Sequence, residues 1–133
     1  FRRVLFRSGS GNDILVGGTG SNTYKFGNTD GADKIYTTSG TDTVEFTSAK
    51  LSDLTVTVGT ANTEFKLSAG NTVTLMNFNS SPTTLNVKDS TGTSFNFIAN
   101  GSNTTISGVE NKNNAIYYIN INELFYILFF FNV

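Results

Sequence analysis

Residues Ser8–Val16 read SGSGNDILV, and Gly17–Lys25 read GGTGSNTYK. Both are nine-residue units of the form G-G-x-G-x-D-x-U-x, where U is a large apolar residue. The Gly-rich half can turn tightly, because a residue without a Cβ reaches positive φ freely. The x-U-x half is a minimal strand that sends one side chain to one face. Downstream the unit is followed through its D-x-U core: Asp13 precedes Leu15, Asn22 precedes Tyr24, Asp33 precedes Ile35, and Asp42 precedes Val44. The steps are nine, eleven and nine residues, with the two-residue insertion in Phe26–Ala32, where a further acid, Asp30, appears. Asp or Asn beside Gly occurs in many ordinary turns, but four in phase define a repeat. Leu15, Tyr24, Ile35 and Val44 are the predicted core positions of that repeat.

After Phe46 the texture changes. Leu54-x-Val56-x-Val58, Phe65-x-Leu67, Val73-x-Leu75, Leu85-x-Val87 and Phe95-x-Phe97 alternate at period two, as half-buried strands do. Turn residues separate them, among them Ala69-Gly70-Asn71 and Asp89-Ser90-Thr91-Gly92. The pattern predicts an all-β chain: a short run of repeats, then three or more antiparallel strands, with little helix before residue 110. Asp53, Glu64 and Asp89 fall outside the repeat and are expected in solvent.

The two ends differ from the middle. Residues 1–8, FRRVLFRS, are basic and apolar and resemble the in-frame translation of a sequencing-library adapter. They are set aside as non-native and left out of the fold. Residues 9–46 hold the repeats, 47–110 form a β-rich flanking or capping region, and 111–133 are an Asn-rich, then strongly apolar tail. Its run Leu124–Phe131 is too short to cross a bilayer, which takes about 20 residues. The tail reads either as a terminal secretion signal or as the product of a shifted reading frame.

Composition narrows the chemistry. The chain has 133 residues, no Cys and no His, a formal charge of −1 and 14% charged residues. No basic field exists to hold nucleic acid. Thiol nucleophiles, imidazole acid–base catalysis and Cys/His zinc sites are excluded, and no P-loop, zincin or nucleophile-elbow motif is present. EF-hand spacing is also missing, because in Asn28-x-Asp30-Gly31 the Gly comes too early. Hard cations held by oxygen remain, served by carboxylates, amides and turn carbonyls. A chain without disulfides gains most from such a staple.

Residues 8–46 resemble the RTX, or haemolysin-type, calcium-binding repeat family, and 47–78, with LSDLTVTV and SAGNTVTLMNF, resemble the segment that often follows such repeats. The resemblance implies a right-handed parallel β-roll with two repeats per turn and Ca²⁺ between stacked loops. Asp13 would then face the loop of Asp33, and Asn22 that of Asp42. The implied ligands are Asp13, Asp33, Asp42, Asn22 and Asp30, with turn carbonyls from Gly9, Ser10, Gly11, Gly17, Gly18, Thr19 and Gly20. The stretch Gly27–Asp33 resembles the terminal loop in which both acids serve. Asn22 departs from the preferred Asp, so the resemblance implies one competent site near Asp13/Asp30/Asp33 and a weaker one near Asn22/Asp42. It further implies a non-catalytic module of a larger bacterial protein, secreted through a type I apparatus, extracellular or held at the cell surface, with any enzyme domain upstream. A structural or adhesive β-module of a surface-layer protein or adhesin is the alternative.

Overall fold

The computed structural model describes residues 3–67, 69–78, 84–98, 104–107, 115–121 and 124–128. The chain forms β1 (Leu5–Arg7), β2 (Ile14–Thr19), β3 (Thr23–Phe26), β4 (Ala32–Ser39) and β5 (Asp42–Phe46), then a 3-10 turn at Leu51–Asp53. There follow β6 (Thr55–Val58), β7 (Thr63–Lys66), β8 (Thr72–Met76), β9 (Leu85–Lys88), β10 (Ser94–Ile98), β11 (Thr104–Ser107), β12 (Ala115–Ile121) and β13 (Leu124–Leu128). Successive strands of the repeat region alternate between two sheets, ordered β1-β3-β5-β9-β10-β12-β13 and β11-β6-β7-β8-β4-β2. The fold is all-β: a parallel roll extended by antiparallel strands.

The spacing of the repeat sets the coil. Phe6 lies opposite Tyr24, two nonapeptides on. Leu15 lies opposite Ile35, and Tyr24 opposite Val44, each one coil later with the two-residue insertion absorbed. A period-two strand buries alternate residues, so the sixth and eighth positions of a unit both turn inward. In β4, Asp33 and Ile35 are buried while Ala32 and Lys34 are exposed; in β5, Asp42, Val44 and Phe46 are buried.

Three expectations are corrected or extended by the structure. Residues 1–8 were left out of the fold, yet Leu5–Arg7 forms β1, parallel to β3, and Phe6 stacks on Tyr24 at 5.0 Å between ring centroids. The reason is phase, since Val4 and Phe6 stand nine residues before Asp13 and Leu15. The region after Phe46 holds the expected antiparallel strands in β6-β7-β8 and β9-β10, and in addition β8 pairs parallel with β4, and β9 with β5. Those two strands complete a third coil, and the β6–β7 hairpin is an excursion from it.

The third correction is Asp89, expected in solvent and only 5% exposed. Its Oδ1 accepts hydrogen bonds from Thr91 N (2.8 Å), Thr91 Oγ1 (2.6 Å) and Thr93 N (3.0 Å), and its Oδ2 accepts from Leu51 N at 3.2 Å. Burial works to raise its pKa, but these donors outweigh it and hold the carboxyl below its ordinary value. Asp89 thereby ties the β9–β10 turn to the 3-10 turn.

The core lies between the sheets. It joins Tyr24, Val44 and Phe46 of one sheet to Ile35, Phe65 and Leu75 of the other, all fully buried. Phe26, Phe46, Phe65, Phe97 and Phe78 form a continuous run of ring contacts, with successive centroids 5.6–6.3 Å apart. Each such side chain contributes roughly 1.5–3 kcal/mol on burial. Leu15 packs against this cluster while remaining partly exposed, because its coil is near the roll's N-terminal end. Among the described residues, no helix is long and apolar enough to cross a membrane.

Candidate metal centre

The turns of the roll stack along two edges. At the first edge lie the turns leading into β2, β4 and β8; at the second, those leading into β3 and β5. The sixth position of each unit stands at the mouth of its turn. Asp13 and Asp33 therefore stack at the first edge, and Asn22 and Asp42 at the second, as the two-repeat period requires. The pairing of loops that the resemblance implies is the one the fold makes.

Three of the stacked side chains, those of Asp33, Asp42 and Asn22, reach back one coil to cap a main-chain donor. Asp33 Oδ1 accepts from Asp13 N at 2.8 Å, Asp42 Oδ1 from Asn22 N at 2.8 Å, and Asn22 Oδ1 from Val4 N at 3.3 Å. The glycines permit this close stacking. Gly31 and Gly40 sit at φ +94° and +101°, and a Cβ on either would overlap the carbonyl oxygen of Gly11 or Gly20 beneath it. Only Gly fits both the dihedral and the gap.

The first edge leaves charge unmet. Asp33 is 1% exposed, and the second oxygens of Asp13 and Asp33, both Oδ2, are buried with no hydrogen-bond partner. An unpaired buried carboxylate oxygen is costly. Burial pushes the Asp33 carboxyl above its ordinary pKa; the bond from Asp13 N opposes this, and the charges of Asp13 and Asp30 add to it. Asp30 closes its own loop, its Oδ2 accepting from Gly27 N at 2.7 Å and from Ser8 Oγ at 3.1 Å. Among the described residues, no three acidic side chains converge to hold a metal by themselves. A cation at this edge would therefore need turn oxygens as well as the two aspartates. Gly9, Ser10 and Gly11 are exposed in the adjoining turn.

The remaining candidates are placed differently. Gly17, Gly18 and Thr19 lie inside the bulged end of β2, not in a turn. Gly20 is in the second-edge turn, where its carbonyl accepts from Asn22 Nδ2 at 3.4 Å. Asn71 closes the first edge from the third coil: its Oδ1 accepts from Gly31 N at 3.1 Å, and its Nδ2 donates to Asn28 O. Asn12 Oδ1 likewise accepts from Ala32 N at 2.9 Å. Sequence reasoning missed both amides. Asn71 was detectable, because Gly70-Asn71-Thr72-Val73 repeats the turn-to-strand rhythm, with Val73 opposite Asp33 where the next acid would stand.

A two-sheet parallel roll with in-phase glycine turns and inward aspartates is the architecture of a cation-stapled β-roll. Residues 6–24 and 29–46 match the family model of the RTX calcium-binding nonapeptide repeat, in four copies. This part of the chain is an RTX repeat array, and its nonapeptides are calcium-binding motifs. Among curated proteins none matches the chain. The orphaned Oδ2 atoms of Asp13 and Asp33 fit a hard, oxygen-seeking cation.

Proposed function

We propose that the chain is a non-catalytic, calcium-dependent folding module of a larger secreted protein. Asp13 and Asp33 would hold the ion at the first edge, joined by turn oxygens of Gly9, Ser10 and Gly11, with Asp30 adding negative charge nearby. A bound calcium ion supplies the positive charge that these buried oxygens lack. The protein's own part is to stack the two acids one coil apart, exclude water from their inner oxygens and keep the turns narrow with glycine. Without the ion the coil carries unpaired like charges; with it, binding energy becomes folding energy.

The observation that carries this reading is the pair of partnerless, buried Oδ2 atoms on aspartates stacked one coil apart in an RTX array. Such a module suits export in an unfolded state from a calcium-poor cytoplasm through a type I secretion apparatus, with folding in calcium-rich surroundings outside. Residues 47–110 would serve as its flank and cap, and the apolar tail beyond 111 as a secretion signal. The test is far-ultraviolet circular dichroism of the full chain. Millimolar calcium, but not magnesium, is expected to convert a weakly structured EDTA-treated sample to β-rich spectra with a cooperative melt. Superimposable spectra and melts in EDTA and calcium would refute the reading.

A further inference from the structure

The second edge presents the same fold position in a different chemical state. Asp42 is 3% exposed, and its Oδ1 accepts from Asn22 N at 2.8 Å and from Asn22 Nδ2 at 3.2 Å. The other Nδ2 hydrogen of Asn22 points to Gly20 O at 3.4 Å, while Asn22 Oδ1 takes the Val4 N–H at 3.3 Å. Asn22 is itself 1% exposed. Its carboxamide thus spends both donors and its acceptor inside the edge. The opposite amide orientation would set two oxygens against each other at Asp42, so these bonds fix which atom is nitrogen. Next to them the Tyr24 hydroxyl and Asn22 Nδ2 fill the space over Gly17, where a Cβ would overlap both. Among the described residues, no oxygen of Asp42 is buried without a partner, in contrast to Asp13 and Asp33.

We propose that the second edge is a metal-free staple, in which the Asn22 carboxamide occupies the role a calcium ion plays at the first edge, so that residue 22 decides which edge binds calcium. This deepens the calcium reading of the first edge and rests on it for the comparison. An N–H donor satisfies a buried carboxylate without the second carboxylate that creates demand for a cation. Binding calcium through Asp42 Oδ1 and the Gly20 carbonyl would break the Asn22–Asp42 and Asn22–Gly20 bonds, and any ion at the second edge would meet only one acidic side chain. The resemblance alone implied a weaker site there; the hydrogen bonding supports no site.

Calcium stoichiometry of the full chain, by equilibrium dialysis and titration calorimetry, tests this. Asn22→Asp is expected to bind one calcium ion more per chain than the unmodified protein, because it recreates a stacked carboxylate pair and deletes the donor. Asp42→Asn is expected to leave the stoichiometry unchanged. Asp33→Asn is expected to lose the first-edge ion. If Asp42→Asn loses an ion, or Asn22→Asp gains none, the staple is refuted. Should Asn22→Asp fold only with calcium present, dialysis of the loaded form still counts its ions, and Asp42→Asn decides independently. If the unmodified chain binds no calcium while Asn22→Asp binds one, the first-edge reading falls and the role of residue 22 stands.

Discussion

The two edges of the roll are made from one repeat and bury a carboxylate at the same position, yet they surround it differently. At the first edge Asp33 faces Asp13 one coil back, and each keeps a buried oxygen without a donor. At the second, Asp42 faces Asn22, whose main chain and side chain both donate to it. The backbone frame is shared, since Asp33 and Asp42 each accept the main-chain N–H one coil back at 2.8 Å. What differs is one functional group, O⁻ against NH₂. Asp89 shows a third means, a buried carboxylate satisfied by donors from its own turn and from Leu51. On the proposed calcium reading, the cation answers the oxygens that lack donors, and a repeat motif by itself does not say which situation a given copy occupies.

The largest effect is expected from removing the first-edge charge. Asp13→Asn with Asp33→Asn should abolish the calcium-dependent gain in stability, which for one site at 100 times its Kd is about 2.7 kcal/mol. Thermal melts of this variant in calcium and in EDTA should coincide; a persisting calcium-induced rise would move the ion away from this edge.

Gly31→Ala and Gly40→Ala sharpen the contrast. Both force a Cβ at positive φ against a carbonyl, and each should cost more than roughly 1 kcal/mol. Only Gly31→Ala, at the first edge, should also reduce the stabilisation by calcium. Urea unfolding with and without calcium separates the two, and equal loss of the calcium response in both would dissolve the distinction between edges.

Asp89 carries the pH prediction. Its folded pKa lies below the ordinary carboxylate value, so the native state favours the ionised form. The stability it contributes is present above the unfolded pKa of about 3.9 and is lost as pH falls through the lower folded value. In EDTA, Asp89→Asn should cost on the order of 1 kcal/mol at neutral pH and should flatten the decline below about pH 4. Denaturation at stepped pH reads this directly, and an unchanged acid limb would contradict it. The smallest effect belongs to the outer-face ion pair Lys25–Glu45, 3.1 Å long and partly exposed. Lys25→Ala should cost about 0.2–1 kcal/mol, less in high salt, with no change in calcium response.

Much of the roll was legible before any fold was known. The nine-residue phase of Asp13, Asn22, Asp33 and Asp42 marked the repeat and its inward core at Tyr24, Ile35 and Val44, while the coils and their pairing were implied by the family resemblance. The third coil was legible only in its turn, where Gly70-Asn71 keeps the rhythm of the earlier units. Residues 72–76 and 85–88 lack the glycine and aspartate signature, and their alternation serves a parallel neighbour as well as an antiparallel one. β1 was missed because charge and composition set residues 1–8 apart, although Val4 and Phe6 hold the phase. Asp89 was missed because its donors are main-chain groups of a turn and of Leu51, 38 residues away.

The amino-acid sequence by itself determined that this chain carries calcium-binding turns of fixed period on minimal strands, since glycine placement and inward apolar residues are local properties of each unit. Only the tertiary structure decided which carboxylates remain unmet. Whether a buried oxygen meets an amide hydrogen or another oxygen depends on the residue stacked one coil away, and that neighbour exists only once the roll has closed.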